Sequence, residues 1–136
     1  MYLLDTNILS ELIKRHPNPH LLTQLSSKPA HTLFTSSICL MELRFGSALR
    51  EDFEKFWQHI TTEIIARVNI IPIGDKEALV AGDILAGLRK TGNIIGLEDV
   101  LIAASAITNQ FAVVTANIRH FTRIRDLKVE NWLEPE

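Results

Sequence analysis

Short apolar runs alternate along this chain with segments whose apolar residues recur every three to four positions, and that alternation limits the fold more than any other feature. Tyr2-Leu3-Leu4 reads as a short buried strand, and Ile8 to Lys14 as a helix that Asp5, Thr6 or Asn7 can cap. The prolines of His16-Pro17-Asn18-Pro19-His20 end that helix, after which Leu21 to Ser26 predicts a short helix and Thr32 to Ser36 a second strand. Ile38, Met41, Phe45, Ala48 and Leu49 recur at helical spacing, so a helix is expected over 38–49 with this stripe toward the core and Ser36 or Ser37 at its start. Phe53, Phe56, Trp57, Ile60 and Ile64 form the stripe of a helix over 52–66, read as core in preference to a surface for a partner chain, and Val68 to Ile73 turns β-branched. Asp75 to Lys90 is a further helix stopped by Thr91-Gly92-Asn93, Leu97 to Asn109 an alanine-rich one, Ala112 to Thr115 a buried strand, and Leu127 to Trp132 an edge strand. Strands alternating with helices predict an α/β sandwich on a mainly parallel sheet.

The 136 residues suit a single domain over 1–136, large enough for a hydrophobic core without disulfides. Apolar residues at 46% and charged residues at 22% are ordinary for a globular chain and give no reason to expect internal disorder. No apolar run reaches the length of a membrane span or a signal peptide, so a cytoplasmic protein without membrane contact is expected. The lone Cys39 excludes an internal disulfide, no Cys or His spacing offers a zinc site, and Cys39 itself is expected in the core. A formal charge of −2 argues against nucleic-acid binding by overall basicity. Any such role falls to a local cluster, and Arg119, His120, Arg123, Arg125 and Lys128 supply one against the single acid Asp126.

In parallel α/β sheets ligands gather beyond the carboxyl ends of strands, which is where Asp5 and Asn117 fall. Either residue also serves as a helix cap or turn former. Glu42 lies within the stripe of Ile38, Phe45 and Leu49, and Asp99 within that of Ile102, Ala103 and Ala106, so each helix directs a carboxylate toward apolar neighbours. A buried carboxylate needs a cation, a metal or hydrogen-bond donors. An arginine such as Arg44 beside Glu42, or the helix N-terminus beside Asp99, meets that need structurally. Converging in one crevice, the same groups make an oxygen-only ligand set suited to Mg²⁺ or Mn²⁺ and to phosphodiester chemistry.

The segments Leu4-Asp5-Thr6-Asn7, Met41-Glu42-Leu43-Arg44-Phe45-Gly46, Gly96-Leu97-Glu98-Asp99-Val100-Leu101-Ile102-Ala103-Ala104 and Val114-Thr115-Ala116-Asn117, in this order, resemble the PIN-domain family, with the VapC-type toxins as the nearest likeness. The resemblance runs from residue 1 to about Asn131-Trp132. It implies a three-layer α/β/α fold, a homodimer, a Mg²⁺ or Mn²⁺ site, endoribonuclease activity on an RNA substrate, and a cognate antitoxin. Asp5, Glu42 and Asp99 match the family's main acids, and Thr6, Asn7 and Thr115 the polar residues that support them. The fourth acidic position holds Asn117, and because an amide is a weaker ligand for a hard cation than a carboxylate, one firmly held ion is expected. On this reading Asp5 and Asp99 bind that ion, and Glu42 reaches it through water or orients the attacking water. Asn117 and Thr115 complete the surroundings, and Arg44, Arg119, His120 and Arg123 are the candidates for substrate phosphates. Hydrolysis is expected to leave a 5′-phosphate and a 3′-hydroxyl. Three other readings compete: a PIN-like binding module with weak or no catalysis, a phosphoacceptor receiver domain, which lacks here its adjacent acidic pair, and a DNA-directed nuclease of the same fold.

Overall fold

The computed structural model describes residues 1–135 and contains five strands: β1 (Tyr2–Leu4), β2 (Leu33–Ser36), β3 (Asn69–Ile71), β4 (Ala112–Val114) and β5 (Val129–Glu130). The helices are α1 (Thr6–Glu11), α2 (Pro19–Ser26), α3 (Ser37–Ala48), α4 (Phe53–Glu63), α5 (Asp75–Lys90), α6 (Leu97–Asn109) and α7 (Ile118–Phe121). Every strand pairing is parallel, in the order β3-β2-β1-β4-β5. The chain steps outward from β1 through β2 to β3, then returns across the sheet to β4 and continues to β5. The direction therefore reverses between β1 and β4, and in parallel sheets the strand ends at such a reversal open a ligand crevice.

Leu3, Leu4, Val113 and Val114 are wholly buried, as expected where helices cover both faces of a parallel sheet. Around them pack Ile8, Leu9, Ile60, Ile64, Val100, Ile102 and Phe121. α6, with Ala103, Ala104 and Ala106 buried, packs against α5. The ends of α5 and α6 fall where the sequence places them. Gly92, at φ +74°, ends α5 in a backbone region that favours glycine, and Gln110 closes α6 in the left-handed conformation at φ 59°. Among the described residues no helix is long and apolar enough to cross a membrane.

Three local expectations change. The helix predicted over 52–66 stops at Glu63 and tightens into a 3₁₀ turn at Ile65–Arg67. A short seventh helix, α7, follows Asn117, where the sequence offers a cap or turn residue but no helical run. Most consequentially, α3 buries Cys39, Leu43 and Ser47, whereas Met41, Phe45 and Leu49 are 51%, 66% and 72% exposed. The apolar stripe expected to face the core is thus largely on the surface. Of the α4 stripe, Ile60 is buried, while Phe56 and Trp57 are half-buried against the core.

Candidate metal centre

Asp5 follows β1 and is the N-cap of α1, its Oδ1 accepting from the Thr6 backbone N–H at 2.7 Å. Its Oδ2 accepts from the Thr115 hydroxyl at 2.8 Å and from Asn7 Nδ2 at 3.2 Å. Asn7 Oδ1 in turn accepts from the Ala116 N–H at 3.1 Å, so α1 and the segment after β4 are tied together across the reversal point. The Thr115 hydroxyl also accepts from the Asn117 N–H at 3.0 Å, which sets the turn into α7. These few bonds link residues more than a hundred positions apart and hold one carboxylate at the base of the crevice.

Glu42, on α3 and partly buried, accepts from the Thr6 hydroxyl at 2.8 Å through Oε1. A single threonine therefore bonds to one acid through its amide and another through its side chain. Asp99, in the first turn of α6, accepts from His120 Nδ1 at 2.9 Å. Burial pushes the Asp5 carboxyl above the usual carboxylate range; the bonds from Thr115 and Thr6 pull it back in part, and the charges of Asp99 and Glu42 raise it further. Asp99 and Glu42, from two further elements, are thus close enough to oppose the ionisation of Asp5, an arrangement that a bound cation stabilises.

Asp5, Glu42 and Cys39 each offer a ligand atom within 4.8 Å of the others. The thiol does not suit a metal here, because burial pushes it up to about 11 and its Sγ lies 3.8 Å from the Leu4 carbonyl, to which it donates. What remains is carboxylate oxygen, with hydroxyl and amide groups fixing its direction. That donor set fits a hard divalent cation, with Asp5 and Glu42 offering oxygens within 4.8 Å of one another.

The structure thus brings together Asp5, Thr6, Asn7, Glu42 and Thr115, with Asp99 joined to them through its charge on Asp5. Asn117 is exposed at the start of α7, and its side chain makes no capping bond there. Arg44 does not pair with Glu42; its guanidinium lies over the rings of Phe53 and Trp57, 4.4 and 4.8 Å from their centroids. Arg119 is exposed on α7. Arg123 is not gathered with the acids but lines a cleft of about 550 Å³ with Val80, Ile84, Leu88 and Ile107. Sequence reasoning missed the bond from His120 to Asp99, which depends on the unpredicted α7 turning that imidazole toward α6. It also missed Cys39 beside the acids, although Cys39 precedes Glu42 by only three positions.

The PIN-domain family model matches residues 2–127. A curated relative from Rickettsia felis named Ribonuclease VapC2 is 34% identical over 132 residues, covering 97% of this chain and 98% of its own length. Among solved structures, VapBC-1 from nontypeable Haemophilus influenzae superposes with a TM-score of 0.88 at 30% identity, covering 98% of both chains. VapBC2 from Rickettsia felis, solved bound to a DNA fragment from its promoter, gives a TM-score of 0.84 at 34% identity over 96% of this chain and 98% of the other. With the family model spanning nearly all of it and full-length relatives on the same fold, the chain belongs to the PIN-domain family, in its VapC branch.

Proposed function

We propose that this protein is an endoribonuclease dependent on Mg²⁺ or Mn²⁺, acting as the toxin of a toxin–antitoxin pair. The observation that carries the reading is Asp5: a carboxylate only 3% exposed, held by three donors and raised by burial and by two further acids, at the reversal point of a parallel sheet. The ribonuclease name of the Rickettsia relative supports RNA as the substrate class.

The chemistry that a divalent cation would supply there is neutralisation of phosphoryl charge and a lowered pKa for the attacking water. Asp5 and Asp99 would hold it, Thr115 and Asn7 fix the direction of Asp5, and Thr6 aligns Glu42 to orient the incoming water. Asn117 stands beside this set as a neutral group. Arg119 on α7 and Arg44 on α3 are the groups we assign to flanking phosphates. The products are a 5′-phosphate and a 3′-hydroxyl.

The exposed face of α3 supports a protein partner. Met41, Phe45 and Leu49, spaced four apart, form an apolar surface adjoining Glu42, and VapBC complexes are the setting in which the relatives were solved. An antitoxin seated there would close over the acids, and the toxin itself pairs as a homodimer.

Cleavage of end-labelled RNA by the purified chain tests the chemistry. Activity is expected in Mg²⁺ or Mn²⁺, to vanish with excess EDTA, and to fall at least about a hundredfold in Asp5→Ala and Asp99→Ala, as expected when a group acting on the reacting phosphate is removed. Wild-type rates in either variant, or cleavage that survives chelation, would overturn the proposal.

A further inference from the structure

Each acid in the centre is aimed by a donor from elsewhere: Asp5 by Thr6, Asn7 and Thr115, and Glu42 by Thr6. Among the described residues Asp99 has no such partner on α1 or in the segment between β4 and α7. It bonds to His120 on α7, Nδ1 to Oδ2 at 2.9 Å, with side chains 22% exposed for Asp99 and 49% for His120. An ionised carboxylate has no proton to give, so Nδ1 carries the hydrogen and donates it. One oxygen of Asp99 is thereby occupied, the carboxylate loses its freedom to rotate about the last side-chain bond, and the other oxygen is left for a ligand. Nothing in the sequence assigns this task to His120, whose place in a basic cluster points instead to phosphate binding.

We infer that His120 is a positioning residue that orients Asp99 for the divalent cation, rather than a contact for the RNA backbone. The inference rests on the metal-centre reading above. Outer hydrogen-bond partners of metal ligands act by fixing the ligand's direction, and removing one weakens metal binding without touching the metal. At this position that requirement is specific: a donor at the Nδ1 location. The amide nitrogen of asparagine reaches nearly the same point, whereas that of glutamine falls near Nε2 and does not.

The test is Mn²⁺ binding by the metal-stripped full chain without RNA, followed through the electron paramagnetic resonance signal of free Mn²⁺, beside steady-state cleavage of RNA. His120→Ala is expected to weaken Mn²⁺ binding by roughly tenfold, within the range for loss of an outer partner. His120→Asn should restore wild-type affinity, and His120→Gln should not. In cleavage at subsaturating Mn²⁺, kcat should fall while KM for RNA stays level, and added Mn²⁺ should recover the rate. Half-exposed His120 tolerates truncation, and circular dichroism of each variant checks the fold. Unchanged Mn²⁺ affinity in His120→Ala, with a raised KM and a shallower salt dependence, would overturn the inference in favour of a phosphate contact. Asp5→Ala separates the two levels. If it abolishes Mn²⁺ binding while His120→Ala leaves the affinity unchanged, only the role of His120 fails, and if Asp5→Ala and Asp99→Ala both bind normally, the metal reading fails with it.

Discussion

Asp5 combines three duties that pull in different directions: it caps α1, it receives the bonds that tie β1 to the end of β4, and it stays nearly solvent-free beside two other acids. The first two favour the ionised form and the third opposes it, with burial the largest influence. Because the folded chain holds this proton more tightly than the unfolded one, the stability Asp5 contributes is fully present below the ordinary carboxylate value and is lost as pH rises through the raised one. Mn²⁺ binds the ionised form and offsets that loss. The gain in melting temperature on adding Mn²⁺ should therefore be small near about pH 4 and grow toward about pH 7, a trend scanning fluorimetry in both conditions reads directly. An equal gain across the range would remove Asp5 from the ligand set. The residue itself was legible in the sequence because a polar group just after a buried strand is out of pattern. The network around it was less so: Thr6, Asn7 and Thr115 are polar residues that suit a cap or turn equally well, and only the pairing of β1 with β4 makes them neighbours.

At the scale of elements, α3 shows where periodicity gives a helix but not its phase. Positions 41, 45 and 49 carry Met, Phe and Leu, and positions 39, 43 and 47 carry Cys, Leu and Ser, so two faces repeat at the same spacing. The larger side chains suggest the first face is inside. The second is buried because its residues are small enough for close approach, and because the Ser47 hydroxyl donates to the Leu43 carbonyl at 2.8 Å and needs no partner beyond its own helix. Leu43→Ala should cost about 2–5 kcal/mol. Phe45→Ser, despite the larger side chain, should stay within about 0.5 kcal/mol in the isolated chain, as surface substitutions do. Urea denaturation separates the two, and a larger loss at Phe45 would return that face to the core. The α5 and α6 boundaries, by contrast, were readable because their punctuation is chemical: Gly92 takes a positive φ, and the 91–96 segment between the helices lacks helical spacing. The short α7 left no periodic trace, since four residues make barely one turn, and with it the link from His120 to Asp99 stayed hidden.

For the whole molecule, strand type and parallel direction follow from buried apolar runs separated by helices, but strand order does not. Nothing in the run from Asp75 to Asn109 signals that α5 and α6 carry the chain back across β1 rather than outward beyond β3. That return creates the crevice at the strand ends, while the apolar cluster of Leu3, Leu4, Ile102 and Val113 stabilises the fold through contacts that involve no metal. Removing the metal should therefore leave a folded protein. The EDTA-treated chain is expected to keep its far-ultraviolet circular dichroism and a cooperative melt, losing only the mass-action contribution of the ion, about 3 kcal/mol at a hundredfold excess over Kd. A chain that unfolds on chelation would make the centre structural instead.

The bond from Thr115 to Asp5 spans 110 positions. During synthesis Asp5 emerges early, yet until the segment forming β4 has left the ribosome there is no hydroxyl to steady it, and α7 with His120 comes later still. A nascent chain thus carries these acids unassembled, and the centre is complete only after both β4 and α7 have been made.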